Sequence, residues 1–313
     1  MTATKKTDAT IPAAGKVPAA GIVAGGPQSA CVFLRRDPMS RPQPRLGRIG
    51  YLNVLPIYHP LEAGIIAHDF EIVSGPPAVL NTMMERGELH VSSGSCIAYA
   101  RRPERYLLVP DMAIGSNGPV MSVLLLSRIP IEELDGKSIC VSGESHTSVA
   151  LLSLLMARQG VNVRFENGLV SARIRGPEPP VAFLAIGDEA LRLRDHPDYP
   201  QRLDLGEAWR SWTGLPFVFG LWFVSREAVE QKMFTVDPAA LLQAGRDWGL
   251  ANMDAILDLN GHGCPLTREE LIQYYNGLVY KMREQELEGL KLFYARLYEA
   301  GLLDAVPALE FFA

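Results

Sequence analysis

Two apolar stretches, GPVMSVLLLS at 118–127 and LPFVFGLWFVS at 215–225, decide the architecture. Each has about half of the ~18–20 apolar residues that a membrane-spanning helix needs, so both read as strands buried on two faces. They bracket a segment with its own strand and helix units. KSICVSG (137–143) leads into a helix, SHTSVALLSLLMARQG (145–160), and further strands follow at VRFE (163–166) and PVAFLAIG (180–187). A chain that passes twice through long buried strands around an internally complete segment is a two-lobed protein with one lobe inserted into the other. The expected boundaries are 45–122 plus 216–313 for the first lobe and 123–215 for the second, with hinge strands near 118–127 and 215–225. The ligand is expected in the cleft between the lobes.

Working outward, RIGYLN (48–53), FEIVSG (70–75) and LHVSSGS (89–95) read as strands, and PPAVLNTMMERG (76–87) reads as a helix with Val79, Leu80, Met83 and Met84 on one face. Beyond residue 225 the pattern is helical, ending in the amphipathic LIQYYNGLVYKMREQELEGLKLFYARLYEAGLL. Short β-rich runs alternating with helical ones predict an α/β class with mixed, mainly parallel sheets flanked by helices. Residues 1–44 differ: Ala, Pro, Gly, Thr and Lys dominate without apolar periodicity, which predicts a disordered N-terminal tail. The lysine within AAGKVPAAGIVAGG and the lack of a compact Leu-rich segment argue against a signal peptide, and a cytoplasmic location is the expectation.

The composition narrows the partners. Of the 313 residues 48% are hydrophobic and 21% charged, and the net charge is −5, as in an ordinary globular protein. With no basic surplus to release counterions from a phosphate backbone, nucleic acid is not an expected partner, and no membrane span is expected. The cysteines at 31, 96, 140 and 264 form no CxxC pair. The six histidines form no HxH or HxxxH pair, and His262 with Cys264 is a poor chelate, so no metal site is expected.

Candidate chemistry lies where polar residues interrupt the ends of buried strands. Asn53 ends RIGYLN and either turns the chain or faces the cleft. Ser95 ends LHVSSGS. Ser122 interrupts an apolar run, where its hydroxyl needs a partner that a backbone carbonyl could supply. Ser145, Thr147 and Ser148 crowd a helix N-terminus; one is the N-cap, and the others could help seat a carboxylate against free N–H groups and the helix dipole. His146 in that cluster is the histidine placed as a candidate acid or base. Asp188, in AIGDEAL, either caps a helix or contacts a ligand hydroxyl. Trp209, Trp212 and Trp222 flank the second crossing as packing residues.

GYLNVLPI (50–57), GSNGPVMSVLLLS (115–127), SHTSVALL (145–152), FLAIGDEAL (183–191) and DLGEAWRSWTGLPFVFGLWFVSREA (204–228), in this order, resemble the menaquinone-biosynthesis chorismate dehydratase family. With the C-terminal YYNGLVYKMREQELEGLKLFYARLYEAGLL these blocks span nearly the whole chain after residue 45. The chain departs from the family pattern at His90, where an Asp is common, and in its first 44 residues. The resemblance implies a fold like that of type II periplasmic binding proteins and a cytosolic enzyme that dehydrates chorismate without a cofactor. It implies that Asn53 and Ser122 are placed at the substrate, and that Ser145, His146, Thr147 and Ser148 form the start of a helix holding a carboxylate. It does not imply a histidine base, because related sequences vary at position 146. Since an amide such as Asn53 is no base at neutral pH, the proton acceptor is either the substrate's own side-chain carboxylate or a residue such as His146. Two other readings stay open: a solute-binding protein for a small anion, and the sibling 1,4-dihydroxy-6-naphthoate synthase.

Overall fold

The computed structural model describes residues 43–143, 146–259 and 264–313; residues 1–42 of the expected tail and Ser145 lie outside the described residues. Eleven strands are described: β1 (Arg45–Ile49), β2 (Glu71–Gly75), β3 (Val91–Ser95), β4 (Tyr106–Ser116), β5 (Val123–Ser127), β6 (Ser138–Val141), β7 (Arg164–Asn167), β8 (Ala182–Ile186), β9 (Gln201–Asp204), β10 (Phe217–Ser225) and β11 (Leu278–Val279). They build two sheets, ordered β11-β4-β10-β3-β1-β2 and β7-β6-β8-β5-β9. The second sheet is drawn wholly from residues 123–204, and the first from residues on both sides of it. This is the two-lobed α/β arrangement.

Both sheets are mixed. The parallel pairs are β1 with β2 and β3, and β6 with β7 and β8; β10 runs antiparallel to β3 and β4, β11 antiparallel to β4, and β5 antiparallel to β8 and β9. The antiparallel share exceeds that suggested by the repeating strand and helix pattern, because the long strands next to the crossings enter each sheet against its local direction.

The structure corrects several element boundaries. β1 stops at Ile49, and Asn53 lies in a 3-10 turn, Leu52–Val54, that leads into the helix Leu55–Glu62. The run 118–127 is a strand only from Val123, since Gly118 and Met121 adopt φ of 122° and 60°. The preceding crossover is pinned by Asp204, whose carboxylate accepts the Val120 N–H at 3.0 Å and the Met121 N–H at 2.8 Å. The unanticipated 11-residue β4 is the strand that leaves the first sheet, and the chain returns from β9 through the helix Leu205–Thr213. On the helix Pro77–Glu85, Leu80 and Met84 are buried, whereas Val79 faces solvent at 49% exposure. No helix among the described residues is long and apolar enough to cross a membrane.

Where the chain returns, Trp209 is fully buried. Its Nε1–H donates to the Pro216 carbonyl at 3.2 Å, and its ring packs edge-on against Phe217 and Phe293. Aromatic pairs in this geometry contribute about 0.5–1.5 kcal/mol beyond area burial, so the return is held by packing.

Candidate active site between the two sheets

A cavity of about 110 Å³ lies where the two sheets meet. The first sheet and its loops contribute Ile49, Tyr51, Asn53, Ser93, Gly94, Ser95, Ile114 and residues 219–222. The crossover contributes Val120 and Ser122, and the second lobe contributes Val123, Thr147, Ser148, Ile186 and Gly187. The wall is mostly apolar and studded with hydroxyls and one amide. Among the described residues no Asp, Glu, Lys, Arg or His lines it.

Local geometry explains this lining. Opposite the step from Gly115 to Ile114 in β4, β10 advances two residues from Val218 to Gly220, a bulge at Phe219, which lines the cavity. Bulges of this kind re-aim a side chain beside a site. In β3, Ser93 and Ser95 lie on one face of the strand, two residues apart. Gly94 between them is obligatory, because a Cβ there would stand 2.3 Å from the Phe223 ring. Gly187, with φ of 56°, carries the other wall; a Cβ would press on the Tyr51 ring at 3.0 Å.

The polar atoms divide into engaged and unengaged ones. Ser95 Oγ accepts the Ala98 N–H at 3.1 Å as the N-cap of the helix Cys96–Arg101. Thr147 Oγ1 accepts the Ile97 N–H at 3.4 Å and lies 3.4 Å from Cys96 Sγ, joining the second lobe to the first. Ser122 is 3% exposed, and its hydroxyl makes only a long 3.4 Å contact to the Val120 carbonyl. Asn53 Oδ1 and Ser93 Oγ are buried with no hydrogen-bond partner; Ser93 stands near the Tyr58 phenol but outside bonding geometry. A buried unsatisfied polar atom costs about 1–3 kcal/mol, which a polar ligand in the cavity would recover.

Asn53, Ser95, Ser122, Thr147 and Ser148 thus come together around one cavity. His146 and Asp188 do not line it. His146 lies in a neighbouring groove with Arg101 and Arg102, where burial and the Arg101 charge push its imidazole below the usual pKa and favour the neutral ring. Asp188 is not the N-cap of the helix Gly187–Leu193, a position held by Ile186; its Oδ1 accepts the Leu52 N–H at 3.1 Å across the cleft. Burial raises its carboxyl pKa, with the Leu52 N–H and Arg192 offsetting part of the rise.

The sequence reading missed Ser93 and three tyrosines. Ser93 was detectable from strand alternation, since it shares a face with Ser95. The tyrosines lie in YYNGLVY, read as part of an amphipathic run and of a block that resembles the family, with no site role for any of them. Tyr275 donates to the Leu52 carbonyl at 3.1 Å and Tyr280 to the Asn53 carbonyl at 2.9 Å. The buried Tyr274 hydroxyl lies close to Ser122, outside bonding geometry, and burial pushes its phenol well up.

Comparison with known proteins agrees with this arrangement. Residues 44–299 match the family model described as menaquinone biosynthesis. The chain is 30% identical over 269 residues to chorismate dehydratase of Thermus thermophilus, covering 79% of this chain and 93% of that protein. It is 25% identical over 241 residues to 1,4-dihydroxy-6-naphtoate synthase of the same organism, covering 73% and 83%. Among solved structures, a Candida albicans protein described as having the generic periplasmic binding protein fold superposes with a TM-score of 0.61 at 15% identity, over 84% of this chain and 92% of that one. That last likeness bears on the fold alone. With two sheets meeting at a cavity, and a family match running from the first strand into the last helix, the chain belongs to the menaquinone biosynthesis family.

Proposed function

We propose that this protein acts as a chorismate dehydratase, eliminating water from chorismate to give 3-[(1-carboxyvinyl)oxy]benzoate. The observation that carries the reading is a cavity lined by no charged side chain among the described residues, in which Asn53 Oδ1 and Ser93 Oγ await partners, in a chain that shares 30% identity with a chorismate dehydratase over most of its length.

The chemistry suits such a wall. Elimination breaks the C–H bond at the ring carbon bearing the enolpyruvyl ether and the neighbouring C–OH bond, and the ring becomes aromatic. That driving force leaves the protein to orient the substrate and exclude water. The proton is acidified through the ring double bond conjugated with the ring carboxylate. Hydroxyl and amide donors on that carboxylate stabilise the dienolate as it forms. Ser122 and Asn53 are assigned this role. The first turn of the helix His146–Arg158, with Thr147 and Ser148 in the cavity wall, is assigned the seating of a carboxylate. With no titratable acid or His among the described lining residues, the substrate's enolpyruvyl carboxylate is the assigned proton acceptor. A lobe boundary near each crossing, with the lobes closing on the substrate, completes the proposal.

Purified protein incubated with chorismate should consume it and form the aromatic product, followed by ultraviolet absorbance and mass. Asn53→Ala and Ser122→Ala should each lower turnover about tenfold or more with an unchanged circular dichroism spectrum. Chorismate bound but unconverted would favour a solute-binding protein. Formation of the dihydroxynaphthoate from a cyclised futalosine product, without action on chorismate, would favour the sibling synthase. Near-normal rates in both variants would remove Asn53 and Ser122 from the site.

A further inference from the structure

The turn carrying Asn53 is held in an unusual way. Besides its own backbone bonds, from Val54 N–H to the Tyr51 carbonyl and from Leu55 N–H to the Leu52 carbonyl, the turn is held by side chains far away in sequence. Tyr275 and Tyr280 take the carbonyls of Leu52 and Asn53, and both flank β11, a strand of the same sheet as β1. The Leu52 N–H goes the other way, to Asp188 in the first turn of the helix Gly187–Leu193, which follows β8 of the second sheet. The Tyr51 ring rests against Gly187, the residue before Asp188. One side of the turn is thus bonded within its own lobe, and the other to a residue of the second lobe.

We infer that Asp188 is a positioning residue rather than a substrate ligand: its bond to the Leu52 N–H couples approach of the second lobe to the orientation of the Asn53 amide in the cavity. The inference rests on the dehydratase reading for its kinetic consequence, but the bond itself does not. When the lobes part, the tyrosines keep the turn in place while the Leu52 N–H turns to solvent and the constraint next to Asn53 is released. Without ligand the lobes meet part of the time, so the bond gives Leu52 partial protection; substrate between the lobes makes the bond persistent and completes the catalytic geometry.

The test combines amide hydrogen exchange at Leu52, read without ligand, with steady-state kinetics on chorismate. Asp188→Ala should speed exchange at Leu52 and lower kcat about tenfold or more while leaving KM within about twofold, since the lost contact touches backbone and not substrate. Asp188→Asn keeps an oxygen acceptor and should restore both protection and most of kcat. Should the alanine variant not fold, Asp188→Ser serves as the second truncation. A raised KM with kcat intact would make Asp188 a substrate ligand and overturn the inference, as would unchanged exchange at Leu52 in the truncated variant. If wild-type protein does not act on chorismate, the dehydratase reading fails separately, and the exchange contrast among the variants still decides whether the latch exists.

Discussion

His90 shows how one residue couples to its surroundings. It stands just before β3, and its Nδ1 accepts the Arg45 backbone N–H at 2.8 Å, tying the start of β1 to the strand beside it. That bond requires a lone pair, so the ring must be neutral. Burial, helped by the Arg45 charge, lowers its pKa from the ordinary 6.5. The unfolded chain takes up the proton first as pH falls through about 6.5, so this stability is present at higher pH and is lost towards the depressed folded-state value. Between about pH 7.5 and 5.5 the wild type should therefore lose more melting temperature than His90→Asn, which offers an acceptor that does not titrate. Equal losses in the two proteins would exclude His90 as the source. Asn53 and Ser122 were legible at this same scale because a polar residue set in an apolar run stands out. Ser93 was hidden by its neighbours in SSGS.

At the scale of elements, the crossover between the sheets depends on Asp204. Its carboxylate caps the helix Leu205–Thr213 by accepting the Gly206 and Glu207 N–H groups at 2.9 and 3.1 Å, and it also accepts the Val120 and Met121 N–H groups. One side chain thus starts the returning helix and holds the outgoing crossover that ends in Ser122. Asp204→Ala should destabilise the protein by about 2–4 kcal/mol, from a lost cap and from part-buried N–H groups left without partners. The check is a lower midpoint in urea denaturation at unchanged m-value. β4 was not legible because Pro110 and Asp111, the latter with φ of 52°, break its alternation; the bend is held by Arg246, which pairs with the Asp111 carboxylate at 3.1 Å. β9 was missed because QRLD is short and polar and becomes a strand only by pairing with β5.

For the whole molecule, the polar links described between the two lobes include Asp188 to Leu52, Thr147 to Cys96 and Ile97, and the Arg194–Glu270 ion pair. Interfaces of this kind within a chain permit relative lobe motion. Addition of a product analogue should reduce the radius of gyration in solution scattering and change the emission of Trp222, a residue of the cavity wall whose indole donates to Tyr58 at 3.0 Å. A fluorescence change without any change in scattering would mean that ligand enters a structure already closed.

Sequence alone determined the α/β class, the two-lobed plan, the family, and, Ser93 apart, the Asn, Ser and Thr residues that meet at the cavity. These follow from apolar periodicity, from polar residues interrupting it, and from short conspicuous blocks, all of which are local in the chain. Tertiary structure decided that Asp188 grips the backbone beside Asn53 from 136 residues away, that tyrosines near the C-terminal end hold the other side of that turn, and that His146 falls outside the cavity. The reason is geometric. A hydrogen bond between distant segments depends on distance and angle set by how both lobes pack, and no spacing within either segment carries that information.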